Sequence, residues 1–135
     1  MNAAAIPPIS IEVFESGRID AEMFDHEAHI YVAWLYLDQY PVLKATQRYM
    51  NSLKRITADL GIPGKYHETI TWFFMFLIDE RRRVSTSDDW FSFRRKNEDL
   101  FARGEQSILS QYYQPETLAS DSARRSFVLP DRRAS

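Results

Sequence analysis

Apolar residues recur along this chain at spacings of three and four, and that period predicts helix over most of its length. The first long helix is expected from Asp20, its N-cap, to about Tyr40, because Pro41 pushes the residue before it out of the helical region. Met23, His26, Ile30, Ala33 and Leu37 share one face of it, with His29 alongside. From Ile30 onward the helix is apolar nearly all round, which marks it as central. Pro41 then suits the first turn of a second helix, whose stripe is Leu43, Met50, Leu53, Ile56, Thr57 and Leu60. Lys44, Gln47, Arg48, Asn51, Lys54 and Arg55 make its opposite side, and Gly61 and Pro63 stop it. A third helix, the most apolar, is expected from Lys65 or Tyr66 to about Val84. Arg81, Arg82 and Arg83 would form its solvated end, opposing the macrodipole.

The flanking stretches carry weaker patterns. Residues 1–18 hold Pro7, Pro8 and a brief Ile-Glu-Val-Phe alternation, and read as an irregular arm with Ile11, Val13 and Phe14 laid on the body. Ser85-Thr86-Ser87-Asp88 is a polar break that caps a short helix bearing Trp90, Phe91 and Phe93. A further helix over 97–113 would turn Leu100, Phe101, Ile108 and Leu109 inward, weakened at Gly104, where it would divide in two. Pro115 opens one last short turn. Phe127, Val128 and Leu129 before Pro130 predict an extension docked in an apolar groove, each side chain contributing roughly 1.5–3 kcal/mol before entropy. The resulting expectation is an all-α protein, with residues 19–135 forming one compact bundle of three long helices plus shorter C-terminal ones.

Composition narrows the function. A net charge of -2 opposes a general nucleic-acid binder, and acidic neighbours dilute the basic runs Arg94-Arg95-Lys96 and Arg132-Arg133. The absence of cysteine removes thiolate chemistry, disulfides and Cys-based zinc sites. Residues 1–10 lack the basic start and apolar core of a signal peptide. The longest apolar runs, 30–37 and 70–78, fall short of the ~20 residues that span a bilayer. A soluble cytoplasmic protein without nucleic-acid or membrane partners is the expectation.

Several phrases carry a resemblance: His26-Glu27-Ala28-His29 leading into Ala33-Trp34-Leu35-Tyr36-Leu37, then Lys65-Tyr66-His67-Glu68-Thr69-Ile70-Thr71. Later come Tyr112-Tyr113, Pro115-Glu116, Leu118-Ala119-Ser120 and Phe127-Val128-Leu129-Pro130-Asp131. Over residues 23–131 the chain resembles a group of small bacterial proteins with no assigned activity. The resemblance implies an intact single-domain protein and transfers no functional residue.

Candidate chemistry rests on the three histidines, which all fall at two predicted helix starts. Short connections make neighbouring helices antiparallel, so the first and third run parallel and His26, His29 and His67 lie toward one end. Helix stagger would have to absorb their axial offset. An i, i+3 pair plus one ligand from a neighbouring helix can hold a divalent transition metal, zinc or iron foremost, with a position left for water. Asp25 or Glu68 would complete the shell, or Glu68 would act as general base, with Tyr66 a weaker proton-transfer candidate. The plainer alternatives are core or cap histidines, an exposed Lys65 and a packed Tyr66.

Sharper motifs fail. His26-Glu27-Ala28-His29 is one residue short of H-E-x-x-H, and neither a paired E-x-x-H di-iron pattern nor a glycine-rich phosphate loop occurs. Three functions follow: a small metal-dependent enzyme acting on a small molecule, a metal-free enzyme using His and Glu68, or a non-catalytic helical partner protein.

Overall fold

The computed structural model describes residues 6–85 and 89–132, the Met23 side chain apart. Expectations touching residues 1–5, 86–88 and 133–135 lie outside it. Among the described residues there are seven α-helices, five short 3-10 turns and no strand. The helices are α1 (Ile11–Ser16), α2 (His26–Gln39), α3 (Val42–Asp59), α4 (Glu68–Val84), α5 (Trp90–Lys96), α6 (Pro115–Leu118) and α7 (Asp121–Arg125). As the periodicity predicts, α2, α3 and α4 pack on one another as the core. His26 at the start of α2 meets Phe74, while Arg82 near the end of α4 reaches the Leu37 carbonyl and Asp38 near the end of α2. The two helices therefore run parallel. Lys54, late in α3, pairs with Glu68 at the start of α4, so α3 runs the other way.

Helix starts differ from expectation in a way that matters for the histidines. Asp20 caps only the turn Ala21–Met23, accepting from the Glu22 N–H. The cap of α2 is Asp25, whose Oδ1 accepts the Ala28 N–H at 2.9 Å, which makes His26 the first helical residue. Within the stretch expected as an irregular arm, residues 11–16 fold as α1, between a Ser10 N-cap and Gly17 in the left-handed region at φ 79°. Phe14 is fully buried there and stacks on Tyr49 at 5.3 Å. Glu15 beside it accepts the Tyr36 hydroxyl and the Nε and Nη2 donors of Arg48.

Three further expectations are corrected. The arginines closing α4 are not simply solvated: Arg81 binds Asp99, Arg82 binds Asp38 and Arg83 binds Asp79. The helix expected over 97–113 is three 3-10 turns, Glu98–Phe101, Gly104–Gln106 and Ile108–Gln111, broken by Gly104 at φ 65° and by Ser107, which caps a new turn. Leu43 and Leu60 are in register with the α3 stripe but sit at its two ends and stay exposed. No helix among the described residues is long and apolar enough to cross a membrane.

The C-terminal stretch docks chiefly through its backbone, with the Phe127 ring 5.8 Å from Trp72 and Val128 half-buried. Phe127 and Leu129 are exposed, 40% and 73%. Thr69 instead donates to the Ser126 carbonyl at 2.7 Å and accepts the Val128 N–H at 3.0 Å. Tyr113 donates to the Val128 carbonyl, and Asp131 accepts the Gln114 N–H and the Thr117 hydroxyl.

Candidate functional site

Each imidazole is first held by a main-chain carbonyl, and the three outcomes differ. His67 is the N-cap of α4: its Nδ1 accepts the Ile70 N–H at 3.2 Å, and its Nε2–H donates to the Leu118 carbonyl at 2.7 Å. Both ring nitrogens of the neutral form are thereby engaged. Burial pushes its pKa below the ordinary value, and the nearby Arg124 charge works in the same direction, against the Leu118 hydrogen bond. The cap needs that neutral state, because a protonated Nδ1 has no lone pair to offer.

His26 and His29 keep a lone pair each. His26 donates from Nε2 to the Leu100 carbonyl at 3.0 Å, its ring edge-on to Phe74. His29 donates from Nδ1 to the Asp25 carbonyl at 2.8 Å, its ring stacked on Phe24 at 3.8 Å. A carbonyl only accepts, so in the neutral rings Nδ1 of His26 and Nε2 of His29 are the basic nitrogens. Neither has a protein partner among the described residues. Burial lowers the His29 pKa; the neighbouring His26 adds to this, and the Asp25 carbonyl and carboxylate oppose it.

The three histidines expected to share one metal are therefore divided. Phe74, level with His26, lies nearly two turns into α4, so His67 sits roughly 10 Å farther along the axis. The stagger does not absorb the offset. Among the described residues no three His, Cys, Asp or Glu side chains are grouped to hold a metal.

Glu68 and Tyr66 belong to a separate network. The Glu68 carboxylate accepts the Tyr66 hydroxyl at 2.7 Å and the Trp72 indole N–H at 3.0 Å, with the Lys54 ammonium 3.7 Å away. Burial and the adjacent carboxylate raise the Tyr66 pKa, so the phenol stays a donor. Both Glu68 oxygens are committed beside α3, away from the free lone pairs. Asp25, the alternative shell residue, gives one carboxylate oxygen to the α2 cap and lines the same cavity as His26 and His29.

What His26 and His29 do share is a cavity of about 1330 Å³, bounded by α2, α3 and α4 on one side and by residues 102–118 with Arg132 on the other. Its floor is apolar: Ile30, Ala33, Leu53, Phe74, Met75 and Ile78. Most polar groups on its wall are already satisfied. Thr71 donates to the His67 carbonyl, Tyr113 to the Val128 carbonyl and Ser110 to the Ser107 carbonyl. The groups with no hydrogen bond or ion pair among the described residues are the two imidazole lone pairs, the Arg103 guanidinium, the Glu105 carboxylate and the Gln111 amide, while the Arg132 charge acts on Asp131. An apolar molecule entering this space would meet two imidazoles from one helix start. The chain matches no family model, no curated protein and no solved structure.

Sequence reasoning finds His26 and His29 but not the wall opposite them. Arg103 has no local signal, and Arg132 beside Arg133 reads as plain surface. Only the return of the C-terminal stretch, with the Arg132 N–H donating to the Tyr112 carbonyl, brings Arg132 to the cavity.

Proposed function

We propose that this protein is a small enzyme that binds a largely apolar small molecule in the cavity and uses His29 as a metal-free general base. The observation that carries this reading is the neutral His29 ring, tautomer set by the Asp25 carbonyl, with its Nε2 lone pair unclaimed on an apolar cavity wall. His26, one turn away, is the second proton-handling group. Glu68 has no part in the reaction. The test is turnover of a panel of apolar ketones and esters, followed as solvent-deuterium exchange and hydrolysis, by the full chain and by His29→Gln. Loss of a roughly 10²–10⁴-fold acceleration in the variant is expected. Identical behaviour of the two proteins across the panel would sink the reading.

A metal-dependent second reading rests on the same two lone pairs, which stand at i and i+3 on one helix and could take a zinc or iron ion together with water and substrate. Elemental analysis after reconstitution separates the two. Metal content lost in His26→Ala and His29→Ala, but kept in His67→Ala, would favour the metal.

A further inference from the structure

We infer that residues 102–111 form a lid over the cavity, anchored at both ends, pegged to the core by Ile108, and moving aside to let a ligand in. The inference rests on the reading that the cavity is the ligand site, and it adds how that site is opened.

The residues flanking this segment are firmly held. Leu100 is fully buried, and its carbonyl accepts the His26 Nε2–H at 3.0 Å. Phe101 meets the buried Trp90 edge-on, with ring centres 5.9 Å apart. On the far side Tyr113 is fully buried and donates its hydroxyl to the Val128 carbonyl at 2.7 Å, while the Tyr112 carbonyl accepts the Arg132 N–H. Between these anchors, Ala102, Ser107, Leu109 and Ser110 contribute to the cavity wall opposite the helices.

The segment itself is held in another way. Among the described residues, no hydrogen bond or ion pair joins 102–111 to α2, α3, α4 or the C-terminal stretch. Its hydrogen bonds are local: the Ser107 N–H to the Gly104 carbonyl, the Ser110 hydroxyl to the Ser107 carbonyl, and the Tyr112 N–H back to the Leu109 carbonyl. Ile108 is its only buried side chain, 4% exposed and packed in the core, whereas Ser107 and Leu109 on either side of it face the cavity. Ala102 and Arg103 are extended and lead into Gly104 in the left-handed region, which makes a hinge outside any regular helix. A segment retained by one aliphatic side chain opens at a much lower free energy than three packed helices, and active-site lids are drawn from such segments. The fixed end of this one hangs on His26, an imidazole of the site it covers.

The test follows entry of the uncharged apolar fluorophore N-phenylnaphthylamine by stopped flow into the full chain, Ile108→Val and Ile108→Ala. Ile108 is not part of the cavity wall, so the substitutions loosen the peg without changing the lining. With a lid, the observed rate levels off as probe concentration rises, at the rate of opening. That plateau should rise roughly tenfold in Ile108→Ala and by less in Ile108→Val, following the volume removed from the core. Hydrogen exchange in both variants should rise over residues 103–111 while the amides of α2, α3 and α4 keep their protection. A rate that climbs linearly with probe concentration and is the same in all three proteins would overturn the lid and leave the cavity reading standing. Exchange that rises equally in the three helices would also overturn it, since Ile108 would then hold the whole fold. No binding of the probe to the parent would overturn both readings.

Discussion

At the scale of single residues, one residue type takes three roles according to which nitrogen a carbonyl claims. His67 is structural, since its two hydrogen bonds cap α4 and hold the Leu118 carbonyl. Replacing it with Ala should cost about 1–3 kcal/mol, from the lost cap and an unpaired carbonyl, whereas Asn, which can still cap, should recover part of that. Urea unfolding of the three proteins measures it. The pH dependence has a defined sign. His29 and His67 both have folded pKa values below the ordinary 6.5, so the unfolded chain takes up protons that the fold refuses. Stability should be fully present above pH 7 and fall as pH drops through about 6.5 toward the folded pKa values. The slope between pH 5.5 and 7.5, above the carboxylate range, should be smaller in His67→Asn. Equal slopes in parent and variant would show that the ring does not act as a neutral cap.

At the scale of elements, the surprise is α1. Its six residues are too short to be stable alone, and helical period cannot be seen over so few positions. The signals present are the cap at Ser10 and Gly17, and these are legible only once Phe14 is known to be buried against Phe24, Tyr36 and Tyr49. Phe14→Ala should therefore destabilise the whole protein by about 3–5 kcal/mol, as expected for an aromatic removed from a packed core. A detachable arm would instead leave the melting temperature unchanged. The C-terminal 3-10 turns are the converse case, where apolar residues at plausible spacing do not form a helix because Asn97 ends α5, Gly104 in the left-handed region opens a new turn, and Ser107 ends that turn and caps the next.

At the scale of the whole molecule, the chain's end is tied back to the start of α4, and this brings Arg132 to the edge of the cavity. Thr69 is fully buried and joins both partners of that tie. Thr69→Val keeps the shape and removes both hydrogen bonds, leaving the Ser126 carbonyl and Val128 N–H to find water. A loss of about 1–3 kcal/mol is expected. Hydrogen exchange should rise over residues 126–132 while the amides of α2 and α3 stay protected. Exchange that rises uniformly would mean the tail is part of the global fold rather than a separable strap.

The sequence by itself determined the all-α class, the three long helices, their parallel and antiparallel order, and the inward placement of His26 and His29. Those follow from periodicity near 3.6 and from Pro41, Gly61 and Pro63, all of which act within a turn or two of the residues they govern. Tertiary structure decided what His26 and His67 are free to do, whereas the His29 proton is placed by the Asp25 carbonyl four residues before it. The Leu100 and Leu118 carbonyls lie 74 and 51 positions away in the chain from the rings they bind. Whether a nitrogen keeps its lone pair depends on those distant partners. The axial stagger of α4 against α2, set by how their side chains interlock, then separated His67 from the other two, and no local pattern encodes a stagger.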